Sequence, residues 1–351
     1  MDYCKNINEE MIYYPVIIPT LNRYDHLKKC IESLQANTHA GKTELVIGVD
    51  YPPSEKYFDG WSKICEYVKS IDGFKKVTVF FRDENLGPRG NAESLRKYAF
   101  ENYDALIATE DDNVFSPNFL DYINKGLAQY KYDKNIIAIC GYMSPVRFES
   151  IDTNRTTVVK LHEYHTWGYG IWKDRDDELN ENMPYRYMEY VCRRKNDLKK
   201  LHKNPRNLYQ LIFWPLFFPV LNGKCDFALS CYCILNNKFT IVPVISLVRN
   251  IGSDGSGINT PRIMDERLTQ IISDERSFEY KDSLDNLETE LVMKIVDEWK
   301  TKDCMEVPVK KPWKLLTNIF YLSFMTIGYD STIYIFNLLR KIKNFFIKSF
   351  K

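Results

Sequence analysis

Short apolar runs alternate along the chain with stretches whose apolar residues recur every three to four positions, a pattern that predicts strands separated by helices. Tyr14-Pro15-Val16-Ile17-Ile18-Pro19 is the first run, and Leu27, Cys30, Ile31 and Leu34 follow at helical spacing behind Asn22 as the cap. Glu44 to Val49 repeats the pattern, ending at Asp50, and Tyr51-Pro52-Pro53 breaks it before a helix over Ser54 to Lys69. Lys76 to Phe81 reads as the third strand. Asn85-Leu86-Gly87-Pro88-Arg89-Gly90-Asn91 then opens a helix running to Phe100. The fourth run, Ala105 to Thr109, ends in Glu110-Asp111-Asp112, and Ser116-Pro117 caps a helix over Asn118 to Tyr130. Such an order predicts an α/β fold: a mostly parallel sheet with helices on both faces, joined by right-handed crossovers.

An apolar strand that ends in three carboxylates is a poor way to build a core. Ligands bind at the carboxyl edge of open α/β sheets, so the acids mark a candidate site. Adjacent carboxylates repel one another and are best tolerated around a hard divalent ion, Mg²⁺ or Mn²⁺, which also bridges to phosphates. The plainer alternative is an acidic loop facing water.

Beyond Asp112 the rhythm loosens. Ile136 to Cys140 predicts a further strand, whereas Thr166-Trp167-Gly168-Tyr169-Gly170-Ile171-Trp172 is too irregular for one. Rings separated by glycines suit the apolar faces of sugars, or equally a packed aromatic corner. Asp174 to Asn204 is charged enough for exposed helix, and Ile212 to Val220, with Pro215 and Pro219, reads as an irregular buried segment. Asp226 is a lone acid ahead of the apolar Ala228 to Leu235, and Cys231-x-Cys233 alternates as buried strand thiols would. Asn250 to Thr260 is a polar glycine loop whose amides could cradle phosphate, although it lacks the lysine of a P-loop. A flexible surface loop is its plainer reading.

From Pro312 to Lys351 apolar and basic residues share the same helices. The uninterrupted apolar part falls short of the roughly 20 residues a membrane span needs, which favours an amphipathic anchor on anionic lipid over a crossing helix. A helical hairpin packed on the catalytic domain or on a second subunit is the competing reading.

Composition adds bounds. A net charge of +1 gives no reason to expect a nucleic-acid partner, and 44% hydrophobic residues in 351 support a sizeable core. Nine scattered cysteines without a Cys-x-x-Cys pair suit a reducing compartment. Met1 to Met11 is too polar for a secretory signal, so the Asn154-Arg155-Thr156 sequon is incidental and a cytoplasmic location is expected.

Four blocks together resemble GT-A glycosyltransferases of the family 2 type: Pro19-Thr20-Leu21-Asn22-Arg23, Asp50, Asn85-Leu86-Gly87 with Asn91, and Glu110-Asp111-Asp112. Trp167 to Arg175 is similar to a block in bacterial polysaccharide transferases, and the Glu-Asp-Asp form with the Asn250 to Gly257 loop resembles N-acetylglucosaminyltransferase I. The resemblance covers about Tyr14 to Thr260. It implies a GT-A, Rossmann-like catalytic domain over 1–265, with a nucleotide-sugar half (12–140) and an acceptor half (141–265). A helical extension (266–311) and the amphipathic tail (312–351) would follow.

The resemblance also implies roles. Pro19, Thr20 and Arg23 would line the nucleotide pocket, Asp50 would hydrogen-bond the base, and Asn85, Gly87 and Asn91 would shape its wall. Asp112 would hold the metal, with Glu110 and Asp111 reaching ribose or sugar hydroxyls. Asp226 would be the general base of an inverting transfer, Glu189 and Asp254 standing in reserve. Trp167, Gly168 and Trp172 would bind the acceptor, with His162 or His165 beside them. This chain has Asn259 where many bacterial relatives carry a histidine that could serve as a loop ligand.

The implied activity is transfer of a hexosyl or N-acetylhexosaminyl group from a nucleotide-diphosphate sugar, a UDP-sugar above others, to a polysaccharide or lipid-linked acceptor. It implies Mn²⁺ or Mg²⁺ as cofactor, peripheral contact with the cytoplasmic face of a membrane, and leaves a homodimer open. A sugar-phosphate nucleotidyltransferase shares the layout but opens with a glycine-rich basic loop, and Pro19 to Arg23 has no glycine. A non-catalytic glycan-binding protein on a transferase fold would be expected to lose the metal or nucleotide acids, and all are present.

Overall fold

The computed structural model describes residues 11–146, 157–202, 225–256, 269–273, 278, 280, 290–296 and 311–349. The expected irregular segment at 212–220, the sequon at 154–156, Asn259 and most of the 266–311 extension lie outside them. By its internal contacts the chain divides into two units, one of Met1–Leu161, His165–Glu178 and Phe239–Val292, the other of His162–Tyr164, Leu179–Lys238 and Met293–Lys351.

The first unit opens as the hydrophobic pattern requires: β1 (Val16–Thr20), α1 (Tyr24–Gln35), β2 (Glu44–Val49), α2 (Phe58–Tyr67), β3 (Lys76–Phe81), α3 (Gly87–Asn102) and β4 (Ala105–Ala108). Residues of β1, β2 and β4 are almost all buried, because a parallel strand sandwiched between helices has no solvent face. Val16, Ile18, Leu45 and Ile47 pack with Leu27, Ile31, Leu34 and Ile64 of α1 and α2. On the opposite face Gly48 lies against Asn91 and Leu95 of α3. The cap of α1 is Arg23 rather than Asn22, and it makes no side-chain capping bond.

Among the described residues the main sheet has eight strands. After β5 (Asn113–Phe115) and α4 (Phe119–Gln129) come β6 (Ile136–Cys140), β7 (Val158–Leu161) and β8 (Tyr169–Trp172), with β9 (Phe239–Pro243) and β10 (Val248–Asn250) later in the chain. The order is β3-β2-β1-β4-β8-β6-β9-β7. Strands β3, β2, β1 and β4 are mutually parallel, β8 is inserted antiparallel between β4 and β6, β9 runs parallel to β6, and β7 is an antiparallel edge. The Tyr169 to Trp172 stretch is therefore a central strand, not an irregular cluster. A Cβ on Gly170 would strike Ile123 and Leu127, so the glycine lets α4 lie directly on the sheet. Separately, β5 and β10 form a two-stranded antiparallel ribbon.

The second unit is helical among its described residues. It receives the end of α5 (Lys173–Asn182) and contains α6 (Tyr187–Arg193), α7 (Lys195–His202), α8 (Asp226–Asn236), α9 (Lys311–Thr326) and α10 (Tyr329–Ser349). Cys231 and Cys233 are buried on α8, a helix rather than the expected strand, because its apolar residues surround the axis instead of marking one stripe. Of the expected helical stretch, residues 174–202 are described and are largely helical, but not uniformly exposed. Arg175 and Asp176 are buried, as is Glu189, which is paired with Arg186 and Arg193 at 3.1 and 3.5 Å.

Candidate active site

Strand β1 lies between β2 and β4, so successive crossovers leave it in opposite directions and open a crevice at the carboxyl ends of β1 and β4. Thr20 ends β1, and the Thr109 to Asp112 turn follows β4 on the same edge. The sequence thus delivers a hydroxyl, a guanidinium and two carboxylates to one place.

The Thr20 hydroxyl donates to Asp111 Oδ2 at 2.7 Å, and Arg23 Nη2 donates to Asp111 Oδ1 at 2.5 Å. That same Nη2 lies 2.8 Å from Asp112 Oδ2. Both aspartates are buried, each 6% exposed, and Arg23 is half-buried above them. Burial pushes the Asp111 carboxyl above its usual range, Asp112 pushes the same way, and Arg23 only partly offsets them. Burial works against the charged Arg23 guanidinium, yet the two carboxylates outweigh it and hold the guanidinium firmly protonated.

The ribbon supplies the third wall. Asn250, which ends β10, donates Nδ2 to Asp112 Oδ1 at 2.7 Å and to Asn113 Oδ1 at 3.0 Å. Its own Oδ1 accepts from the Gly252 amide at 3.0 Å, and the Ile251 amide donates to the Asp112 carbonyl at 2.8 Å. A Cβ on Gly252 would fall inside the Asp112 carboxylate and 3.1 Å from Arg23 Nη1. Only glycine lets this loop approach so closely. Further along, Asp254 Oδ2 meets His26 Nε2 at 3.2 Å, while Asp254 Oδ1 accepts from the Ser256 amide and hydroxyl at 2.9 and 2.6 Å. The start of the glycine loop is thus tied to α1 and to the acidic turn, and its continuation from Gly257 lies outside the described residues.

A second cluster forms beside the first. The Asp50 amide donates to the Thr20 carbonyl at 2.9 Å, which joins the two. Asp50 Oδ1 accepts from the Tyr51 and Leu86 amides at 3.0 and 2.9 Å, and Oδ2 accepts from Asn85 Nδ2 at 3.3 Å. Asn91 donates to the Gly48 carbonyl at 2.7 Å and accepts from Arg82 Nε at 3.1 Å. Asp50, Asn85 and Asn91 are thus tied together at the end of β2, where Pro19 of β1 pairs with Gly48, and Gly87 begins α3 after them.

The remaining candidates lie on other elements. Trp172 is a core residue, 2% exposed, whose Nε1 donates to the Leu127 carbonyl at 3.1 Å, so it has no face to offer an acceptor. Trp167 packs edge-on against Tyr142 at 4.7 Å between ring centroids, and Gly168 is buried beside Phe115 and Phe119. His165 also packs on Tyr142, and His162 Nδ1 lies 2.7 Å from the Lys238 carbonyl. Asp226 is the first residue of α8 in the second unit. Glu189, with its two arginines, is a structural ion pair rather than a reserve base.

Sequence reasoning missed the Asn250 contact with Asp112 and the close approach of Gly252. The available signal was Asn250-Ile251-Gly252 heading a polar loop after a short β-compatible run.

Among the described residues no group of three His, Cys, Asp or Glu side chains could enclose a metal. The 110–112 turn nevertheless carries three carboxylates, and the two buried ones share one guanidinium. That donor set fits a hard ion that takes a single protein carboxylate and completes its shell with phosphate oxygens and water.

Crevice, acidic turn and sheet order define the GT-A class of glycosyltransferase fold. The chain belongs to glycosyl transferase family 2, whose model matches residues 16–201, more than half of its length. No curated protein matches it. Among solved structures it is similar to TarS of S. aureus, with 14% identity, a TM-score of 0.33, and coverage of 66% of this chain and 35% of that one. It is also similar to TarS 1-349 in complex with UDP-GlcNAc (12% identity, TM-score 0.37, 89% of this chain and 73% of that one). A third is the mannosyltransferase PcManGT from Pyrobaculum calidifontis in complex with GDP-Man and Mn²⁺ (12% identity, TM-score 0.38, 94% and 88%). The chain thus spans about a third of the length of the longer TarS.

Proposed function

We propose that this glycosyltransferase moves a hexosyl or N-acetylhexosaminyl group from a nucleotide-diphosphate sugar, a UDP-sugar first among donors, to a hydroxyl of a polysaccharide or lipid-linked glycan, with inversion at the anomeric carbon. The observation that carries this reading is the cluster of Thr20, Arg23, Asp111, Asp112 and Asn250 at the switch point of the sheet. One cation with excess acid at that point suits a diphosphate carried with a divalent ion, and the neighbouring Asp50 and Asn85 cluster suits a base.

In this reading Asp50 holds the Asn85-Leu86 wall, and its Oδ2, engaged by one long bond, keeps capacity for a base N–H. Asp111, fixed by Thr20 and Arg23, orients ribose or sugar hydroxyls together with Glu110. Arg23 offers charge to the departing diphosphate, which gains negative charge as the bond breaks. Asp112 would hold Mn²⁺ or Mg²⁺; when bound, such an ion supplies Lewis-acid stabilisation to the leaving group. Asp226 takes the proton of the attacking hydroxyl, a role that contributes on the order of 10²–10⁴ in rate. A single base opposite the leaving group gives inversion. The Trp167 region belongs to the acceptor side, and a lipid-linked acceptor places the work at the cytoplasmic face of a membrane.

The test is a thermal-shift screen of the full chain against UDP, GDP, dTDP and CMP sugars, with and without Mn²⁺, beside Asp112→Ala. A donor at a hundred times its dissociation constant stabilises by about 2.7 kcal/mol. One nucleotide class that shifts the melting temperature only with metal, and only in the wild type, supports the reading. No shift with any of them overturns it.

A further inference from the structure

The second unit ends in a helical hairpin, α9 and α10 joined through Gly328, with Phe320 meeting Phe336 at 5.3 Å between ring centroids. One side of α9 is already satisfied, because Phe320 and Phe324 are buried. Asp330, at the start of α10, is paired with Arg193 of α6 at 2.5 Å. A helix docked in this way should present polar residues outward. Beside exposed polar residues such as Asn318 and Asn337, these helices also expose large apolar ones.

Leu315, Ile319 and Leu322 recur at i, i+4 and i+7 on α9, and Ile335, Leu338 and Leu339 recur at i, i+3 and i+4 on α10. All six are between 45% and 64% exposed. Isolated exposed apolar residues are ordinary, but a stripe on each of two adjoining helices marks a binding surface. No helix among the described residues is long and apolar enough to cross a membrane.

Charge selects the occupant. Residues 311–351 contain seven lysines and arginines against one acid, Asp330, in a chain whose net charge is only +1. The basic residues gather toward the end of α10, where Arg340 and Lys341 are exposed. Two copies of so basic a hairpin repel each other, whereas an anionic lipid surface attracts it.

We infer that the exposed apolar stripes of the α9–α10 hairpin dock on an anionic bilayer, leucine and isoleucine side chains entering the boundary between headgroups and acyl chains while Arg340 and Lys341 pair with lipid phosphates. This deepens the proposed function by naming the surface on which a lipid-linked acceptor is met, and it rests on that reading for the acceptor alone.

The experiment is flotation of the full chain with vesicles of phosphatidylcholine, alone or mixed with phosphatidylglycerol, in the absence of donor and acceptor. Wild-type protein floats with the mixed vesicles and less with pure phosphatidylcholine, and added salt releases it. Leu322→Asp with Leu338→Asp weakens binding roughly tenfold or more. Arg340→Gln and Lys341→Gln each weaken it about fivefold. All these positions are exposed, so the variants keep the wild-type circular dichroism and nucleotide-induced thermal shift. Wild-type protein that stays in solution overturns the inference, as do variants that float equally well. Apolar variants that abolish self-association of a chain indifferent to vesicles assign the stripes to a second copy and overturn it too. Vesicle binding without any nucleotide-induced shift would leave the inference standing while the transferase reading falls.

Discussion

Asn250 donates its carboxamide to Oδ1 of Asp112 across 2.7 Å, and 138 positions of chain separate the two residues. The bond joins the last residue of β10 to the acidic turn after β4, and it leaves Oδ2 of Asp112 on the side of Arg23. Asn250→Ala strips a buried carboxylate of a neutral donor, which costs about 1–3 kcal/mol. The measurement is chemical denaturation of the variant. Asn250→Asp should be worse, because it sets a like charge against Asp112.

Arg23 is the shared cation of Asp111 and Asp112. Arg23→Gln keeps hydrogen-bonding capacity but leaves two buried carboxylates without their counter-charge. Donor binding should weaken at least tenfold, and the loss should exceed that of Arg23→Lys, which restores charge but not the planar fork. Titration calorimetry with the nucleotide identified by the thermal-shift screen distinguishes the two. Equal affinity in wild type and Arg23→Gln would remove the residue from the donor site.

Gly252→Ala inserts a methyl group where the Asp112 carboxylate lies. Backbone and acid must separate, a strain of about 1–3 kcal/mol. Nucleotide affinity should fall together with melting temperature. A variant with unchanged values for both would show that the loop can move aside freely.

Glu44 gives a pH test away from the site. It is buried at the start of β2; burial raises its pKa, but hydrogen bonds from Thr78, Lys76, Tyr103 and Tyr98 prevail and hold it below the usual carboxylate range. A depressed folded-state pKa contributes stability above the unfolded value, near 4.3 for glutamate, and that contribution is lost as pH falls through the folded value. Glu44→Gln should therefore destabilise by about 1.5–3 kcal/mol at pH 7. The gap to wild type should narrow below about pH 4. Urea titrations at pH 7 and pH 3.5 measure it, and a gap that widens in acid would mean that folding does not depress the Glu44 pKa.

On the proposed role of Asp226 as general base, Asp226→Asn should lower kcat by about 10²-fold or more with little change in KM for the donor, since a general base acts on the acceptor proton and not on donor binding. NMR of the wild-type product's anomeric proton reads the stereochemistry in the same assay. Unchanged kcat would pass the role to another carboxylate.

β1, β2 and β4 were legible because parallel strands, buried on both faces, appear as unbroken apolar runs, and the partly buried edge strand β3 also spans Lys76–Phe81 as the pattern predicts. Three features were not. Tyr169–Trp172 looked irregular because two of its neighbouring positions are glycines, yet those glycines admit Phe119 and Ile123 of α4. Cys231 and Cys233 imitated strand alternation on a helix whose apolar surface runs almost all round. The ribbon of β5 and β10 has three residues per strand, too few for any period to show. At the site, Asp111 and Asp112 could be named because they follow a readable strand, whereas Thr20 and Arg23 were named only through the family resemblance of their block. Asn250 could not be tied to them, because long-range pairing leaves no local signal.

That ribbon also sets when the site can come into being. A nascent chain that has released β1 to β4 carries Thr20, Arg23 and both aspartates, but Asp112 must wait for Asn250 to be synthesised and for the intervening loop to close. Non-local pairings of this kind form slowly. The acidic turn therefore reaches its final arrangement only after β10 has been made and paired with β5.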